Sequence, residues 1–254
     1  MNIVSILPAR MNSSRFPGKP LAKIHGIPMI GHCYLRTQFC QKLSGTYVAT
    51  CDQEIFDYVL SIGGCPVMTS DTHERASDRT AEAMLKIEKE TNKKIDIVVM
   101  VQGDEPMINP SMIDKSLEPF SDIEVQVVNL MADIETLDEF HDPNEVKVVV
   151  DKNSNAIYFS REPIPSRKKG MGSVPMQKQV CIIPFRRDYL IDFNSMSETP
   201  LEIIESVDMM RVIENGDKVK MIKVNDITYS VDTLEDLNKV QEEMKNDSLM
   251  QTYI

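Results

Sequence analysis

The sequence predicts an α/β protein built on a doubly wound, mostly parallel sheet. Short apolar runs alternate with amphipathic helical patterns over most of the 254 residues. The most apolar run, Ile97-Val98-Val99-Met100-Val101, lacks in–out alternation, as a strand covered on both faces should. The first run, Ile3-Val4-Ser5-Ile6-Leu7, breaks at Pro8 straight into a polar loop, where open α/β sheets keep their ligands.

Taken in order, strands are expected at 2–8, 46–50, 65–69, 96–101 and 125–131, with helices at 28–41, 53–62, 77–91 and 111–118. The pattern then changes. Residues 146–150 and 156–160 flank Asp151-Lys152-Asn153-Ser154-Asn155, a turn-rich link that reads as a hairpin. A loop rich in Lys, Gly and Pro spans 163–175, and an apolar run at 180–185 leads into helices near 187–194 and 201–213. Strands at 218–224 and 227–231 and a helix from 233 to about 246 end the chain. No repeat or clear linker divides it. The expected organisation is one domain over 1–254, with a nucleotide-binding core at about 1–145 and 217–254 and an inserted region at about 146–216 for acceptor binding and dimerisation.

Composition narrows the class. Hydrophobic content of 42% and charged content of 26% suit a globular protein. No apolar run approaches the roughly 18 residues of a membrane span, and the N-terminus lacks a secretory pattern. The five cysteines, Cys33, Cys40, Cys51, Cys65 and Cys181, form no Cys-x-x-Cys pair and read as reduced thiols of a cytoplasmic protein. A net charge of -11 argues against nucleic acid, which needs a broad basic face.

Against that acidic background, Arg10, Arg15 and Lys19 cluster in the loop after the first strand. They can neutralise a triphosphate, with Gly18 permitting close backbone approach and Ser13 and Ser14 offering hydroxyl donors. The glycine spacing is not that of a P-loop. A solvated basic loop would carry the same residues, but the position after the first strand favours function.

A second motif, Gln102-Gly103-Asp104-Glu105-Pro106, ends the most apolar strand, where an acidic residue is well placed to hold Mg²⁺. A third, Ser230-Val231-Asp232-Thr233-Leu234-Glu235-Asp236, begins the last helix. Asp232 or Thr233 could cap that helix, and Asp232 could equally be a second metal carboxylate. Ser77-Asp78 reads as a helix start whose polar groups could also meet a base or ribose, while His73 alone carries no signal. No Ser/His/Asp or metal-spaced His/Cys set favours a hydrolase or zinc site.

Together these segments resemble the 3-deoxy-manno-octulosonate (Kdo) cytidylyltransferase family. The matching residues are Pro8-Ala9-Arg10-x-x-Ser13-Ser14-Arg15-x-Pro17-Gly18-Lys19, Gly26-Ile27-Pro28, Asp78-Arg79 and Gln102-Gly103-Asp104-Glu105-Pro106. Further on they are Tyr158-Phe159-Ser160-Arg161, Arg186-Arg187, Arg211 and Val231-Asp232-Thr233. The resemblance implies a Rossmann-like fold of the nucleotide-diphospho-sugar transferase type. The implied reaction joins CTP to an acidic sugar with Mg²⁺, giving a CMP-sugar and pyrophosphate, and serves lipopolysaccharide biosynthesis. It implies nucleotide contacts from Ala9, Arg10, Ser13, Arg15, Lys19, Ser77, Arg79 and Gln102, and magnesium on Asp104 and Asp232. Arg10, Lys19, Asp104 and Asp232 would be catalytic, and the protein a homodimer.

Departures gather on the acceptor side. Arg75-Ala76-Ser77 stands where the family has Ser-Gly-Thr. Gln179, Cys181 and Ile183 stand in a segment that usually reads His-x-Gly-x-Tyr, and Asp208-Met209 replaces Glu-Gln. Arg161, which the resemblance assigns to the acidic sugar, remains. Arg161, Gln179, Ile183, Asp208 and Met209 are therefore the candidate acceptor residues, and their hydroxyl-binding losses predict a shifted preference. Kdo, a related keto-sugar acid or a phosphonate are the candidate acceptors. A sugar 1-phosphate nucleotidyltransferase and a non-catalytic nucleotide-binding regulator are the competing classes.

Overall fold

The computed structural model describes residues 1–12, 15–168, 174–226 and 229–254. Its first half alternates as expected. β1 (Ile3–Ala9) leads through a 3-10 turn (Lys19–Leu21) and a small hairpin of β2 (Lys23–Ile24) and β3 (Ile27–Pro28) into α1 (Met29–Gln38). Then come β4 (Gly45–Thr50), α2 (Gln53–Ser61), β5 (Pro66–Met68), α3 (Ala76–Thr91), β6 (Ile97–Val101), α4 (Pro110–Leu117) and β7 (Val127–Asp133). The second half holds α5 (Leu137–His141), β8 (Lys147–Val150), β9 (Ala156–Ser160), β10 (Gln177–Val180), β11 (Ile182–Arg186) and α6 (Arg187–Ser195). It ends with α7 (Pro200–Glu205), α8 (Met209–Glu214), β12 (Val219–Lys223) and α9 (Leu234–Glu243).

One ten-stranded sheet runs in the order β5-β4-β1-β6-β11-β7-β10-β8-β9, with β12 also on β7. Neighbours from β5 to β6 are parallel, as are β7 and β12. All five residues of β6 are buried because helices cover both faces. Leu7, Val99 and Val101 pack with Met29, Ile30, Met112 and Leu237 on one face. Val4, Ile6, Val98 and Met100 pack with Met84, Ile87 and Phe193 on the other. The doubly wound α/β fold is therefore as expected.

The second half departs from a simple winding. The run at 180–185 is one stretch of chain broken at Cys181 into β10, antiparallel between β7 and β8, and β11, antiparallel between β6 and β7. The segment after 146 is thus woven into the central sheet. The helix expected over 201–213 splits into α7 and α8 because Ser206 adopts a left-handed conformation at φ 52°. Of the strand expected at 227–231, residues 229–231 join no ladder, and 227 and 228 lie outside the described residues. The hairpin at 146–160 forms as β8 and β9.

The helical layer over the second half is held by one buried ion pair. Arg211 Nε and Nη2 donate to Glu202 Oε2 and Oε1 at 2.7 and 2.6 Å, with Glu202 fully buried. The guanidinium lies 4.5 Å from the centre of the Phe193 ring. Replacing Glu202 by Ala leaves that cation buried without its partner. We expect a loss of about 3–5 kcal/mol in unfolding free energy by urea titration. A loss below about 1 kcal/mol would show the pair to be effectively solvated.

Candidate active site

The chain runs outward from β1 to β4 and β5 and returns to the other side of β1 as β6, so the strand order reverses between β1 and β6. Crevices at such reversals bind ligands beyond the carboxyl ends of the strands. Here the two loops that sequence analysis singled out emerge side by side, because Ile6 pairs with Met100. Gly103 makes their approach possible. A Cβ there would lie 3.0 Å from Ile30 Cδ1 and 3.2 Å from the Pro8 carbonyl oxygen.

A cleft of about 330 Å³ opens at this point, lined by Ala9, Arg10, Arg15, Lys19, Arg79, Gln102, Asp104 and Asp232 among others. Lys19 is at its centre. Gly18, at φ 75°, turns the chain into the 3-10 turn, and its N–H donates to the Met11 carbonyl at 3.0 Å, closing the loop. Lys19 Nζ then donates to Asp104 Oδ2 at 2.8 Å and Asp232 Oδ1 at 3.1 Å. Burial would lower the Lys19 pKa, but the two carboxylates outweigh it and hold it above its ordinary value. Arg15 reaches Asp232 Oδ1 at 3.0 Å and also bonds Asn144. Arg10 lines the cleft with no ion-pair partner among the described residues.

Of the two capping candidates, the structure uses Thr233. Thr233 caps α9, its side chain accepting from Asp236 N–H, while the Asp236 carboxylate takes the Asp232 and Thr233 N–H groups. The Asp232 side chain is thereby left to face Lys19 and Arg15. Val231 N–H donates to the Asp104 carbonyl at 2.9 Å, tying the two carboxylate-bearing loops together.

The nucleotide candidates do not all arrive. Ser77 is fully buried outside this lining, its hydroxyl donated to Asp208 Oδ2 at 2.9 Å. Arg79 borders the cleft but uses its guanidinium on Thr69 Oγ1 and the Ser70 and His73 carbonyls, so it shapes the wall. Ser13 lies outside the described residues.

A second cleft of about 370 Å³ adjoins the first and shares Arg10, Arg15, Arg75, Gln102, Asp104 and Asp232 with it. All five acceptor candidates, Arg161, Gln179, Ile183, Asp208 and Met209, line it. Ile183 and Met209 form a buried apolar wall. Gln179 donates to Asn129 Oδ1 at 2.6 Å, and burial raises the Asp208 carboxyl against the pull of Arg75 and Ser77. Arg161 serves backbone carbonyls: Nε to Glu205 at 2.7 Å, Nη1 to Pro143 at 2.8 Å and Nη2 to Ser206 at 3.4 Å.

Among the residues of this cleft that sequence reasoning did not nominate are Glu105, Glu145 and Lys178. Lys178 Nζ pairs with Glu139 at 2.5 Å and Glu145 at 3.2 Å, although the lysine is almost fully buried. Glu105 is buried with no partner for Oε2 among the described residues, and burial pushes its carboxyl up to about 8. Glu105 carried a signal as the residue after Asp104; Lys178 and Glu145, which meet across the β8–β10 pairing, carried none.

The wall around His73 depends on Glu82. Burial would raise that carboxyl, but hydrogen bonds from Lys86, the Ser70 N–H and His73 outweigh it and hold it near 2. A depressed carboxyl contributes stability above its ordinary value near 4.5 and loses it as pH falls toward 2. The difference in melting temperature between the wild type and Glu82→Gln should therefore be full at pH 7 and close below pH 4.5. A difference that persists undiminished at pH 3 would exclude this linkage.

Comparison with known proteins adds an independent line. The cytidylyltransferase family model matches residues 4–224. A 3-deoxy-manno-octulosonate cytidylyltransferase of Geobacter metallireducens is 40% identical, the alignment covering 96% of this chain and 98% of the relative. One from Fusobacterium nucleatum is 37% identical over 98% of this chain and 99% of its own length. Among solved structures, a CMP:2-keto-3-deoxy-manno-octonic acid synthetase complexed with CTP superposes with a TM-score of 0.87 at 35% identity, covering all of both chains. A putative glucose-1-phosphate thymidylyltransferase from Bacillus anthracis shares the fold alone, with a TM-score of 0.68 at 14% identity over 96% of each chain. With the family model spanning most of the chain and the cleft at the strand reversal intact, this protein belongs to the cytidylyltransferase family.

Proposed function

We propose that this enzyme transfers CMP from CTP to Kdo or a closely related keto-sugar acid, releasing pyrophosphate. The observation that carries this reading is the meeting of Arg10, Arg15, Lys19, Asp104 and Asp232 at one strand reversal, beside a second cleft large enough for an acceptor. Relatives named for this reaction, aligned over nearly the whole chain, support the choice of donor and acceptor.

An acceptor hydroxyl oxygen attacks the α-phosphorus, its new P–O bond forming as the bond to pyrophosphate breaks and the hydroxyl proton is released to solvent. Arg10, without an ion pair among the described residues, would meet the phosphates, and Arg15 and Lys19 oppose the charge gathering on the departing pyrophosphate. Gln102 stands at the seam between the clefts, fixed through its N–H to the Cys181 carbonyl at 3.1 Å. Holding two reactants in adjoining clefts supplies much of the acceleration by positioning.

Asp104 and Asp232 are the residues that would hold magnesium. The donor set fits: two hard carboxylates from separate loops already converge on one cation, Lys19 Nζ. No group of three or more protein ligands gathers among the described residues, which suits an ion that takes one or two carboxylates plus phosphate and water oxygens. Bound there, it would neutralise phosphoryl charge.

The subunit arrangement we infer is a homodimer in the cytoplasm. Exposed Ile157 on edge strand β9 and Ile203 and Ile204 on α7 support an interface in the region after residue 150. The five free cysteines fit a reducing compartment. No described helix is long and apolar enough to cross a membrane.

Pyrophosphate release should occur with CTP and Kdo but not with ATP, GTP or UTP, and should stop on chelation of divalent metal. Asp104→Asn or Asp232→Asn should lower kcat by about 10²–10³-fold. Release with a sugar 1-phosphate in place of the acid would overturn the proposal. Light scattering should give the mass of two chains, and Ile203→Glu with Ile204→Glu should give one. A monomeric wild type would remove the dimer.

A further inference from the structure

Resting on the CTP and acidic-acceptor reading, we propose that Lys147 is a positioning residue for the acceptor cleft, its buried ammonium fixing Arg161 against the 142–145 loop. Lys147 opens β8 and is fully buried. Its Nζ donates to the carbonyls of Asp142 at 2.8 Å, Glu145 at 2.7 Å and Arg161 at 2.5 Å. An ammonium has three protons, so all are spent, and none goes to a carboxylate among the described residues. Burying a cation without a counter-charge is costly, and a hairpin asks only for an apolar side chain at such a place. Val148 and Phe159, paired at the next rung, are side chains of that kind. The reason for a lysine lies in what the three carbonyls hold.

They belong to two segments that border the acceptor cleft. Asp142 and Glu145 bracket Pro143-Asn144, and Asn144 and Glu145 line the cleft with Arg161. Arg161 follows β9, whose Ser160 stands opposite Lys147 in the β8–β9 ladder. The ammonium therefore fastens one segment to the other at the open end of the hairpin.

Arg161, the residue that the resemblance assigns to the acidic sugar, has a fixed root and an exchangeable tip. Its N–H and Nε donate to Glu205 Oε2 at 2.8 Å and the Glu205 carbonyl at 2.7 Å, while its own carbonyl takes Lys147. Glu205 Oε1 is in turn held by the Tyr158 hydroxyl at 3.0 Å and the Ser160 hydroxyl at 3.3 Å. The Nη1 and Nη2 bonds, to the Pro143 and Ser206 carbonyls, are solvent-exposed. A carboxylate arriving from the cleft can take their place with a two-pronged, charge-assisted contact. Such a contact selects one ligand geometry only if the root of the guanidinium does not wander. Toward the phosphate side, the 142–145 loop meets Arg15 through Asn144, and Arg15 keeps Asp232 as a second partner. Loosening the root is therefore read at the acceptor and not at CTP.

The test measures the KM for Kdo at saturating CTP, and the KM for CTP at saturating Kdo. Lys147→Gln should raise the KM for Kdo by about 10-fold and that for CTP by less than about 3-fold. Lys147→Met, which keeps no donor, should raise the KM for Kdo further. Because Lys147 acts through Arg161, the double variant Lys147→Gln/Arg161→Ala should match Arg161→Ala in KM for Kdo to within about 3-fold. Val59→Ala, in the core of α2 and outside both clefts, should lower the melting temperature and move neither KM. Equal rises in the two KM values, additive effects in the double variant, or the same split in Val59→Ala would overturn the proposal. Failure of both lysine variants to fold would also overturn it, by making Lys147 a residue of the fold and not of the site. A raised KM for Kdo in Arg161→Ala with none in Lys147→Gln would remove Lys147 alone and leave the functional reading intact. An unchanged KM in Arg161→Ala would remove the group through which Lys147 acts, and the proposal with it. No turnover of CTP and Kdo by the wild type would defeat the functional reading itself.

Discussion

The candidate active site is organised around the ammonium of Lys19 held between Asp104 and Asp232. Two carboxylates brought this close repel one another, and each would also repel a triphosphate. A buried cation between them removes the first difficulty and softens the second. The arrangement demands that three loops, far apart in sequence, end within about 3 Å of one atom. The strand order meets that demand by placing β1 and β6 side by side with their carboxyl ends together. The remaining requirement falls on the turn before α9, where Thr233 takes the capping duty and leaves Asp232 to the cluster.

The same sheet carries the second cleft. β11 runs antiparallel between β6 and β7, and β10 between β7 and β8, so the candidate acceptor residues grow from the same sheet as the Gln102–Pro106 motif. The break at Cys181 is where the two halves touch: its carbonyl receives the Gln102 N–H. A change in the acceptor wall is therefore transmitted through backbone to the seam. Polar contacts on that wall are mostly internal, as with Gln179 on Asn129 and Ser77 on Asp208. The cleft keeps its shape before any ligand enters it, which lowers the cost of ordering on binding.

The sequence was most legible where burial is two-sided and local. β1 and β6 announce themselves as unbroken apolar runs, and their ends fall within about two residues of expectation, β1 running through Pro8 to Ala9 and β6 ending just before Gly103. The phosphate-side cations were legible because charge in a short loop stands out on an acidic chain. Legibility failed where the cause is distant. Lys178 is buried by strands on either side of it, and nothing next to it in sequence says so. The break between α7 and α8 rests on a serine in a left-handed conformation, which carries neither the glycine nor the proline that marks most breaks. Ser77 looked like a ligand-facing hydroxyl but turns inward, since the first turn of α3 presents it to Asp208.

The late position of Asp232 has a consequence for how the enzyme comes into being. A chain emerging from the ribosome exposes Lys19 and Asp104 long before the residue that completes their cluster. Its sheet is also unfinished, since β10 and β11 must enter between two strands made earlier and β12 must close on β7. The cluster therefore closes only after every strand of the sheet has been made. Until Asp232 is made, Lys19 and Asp104 stand as an incomplete pair.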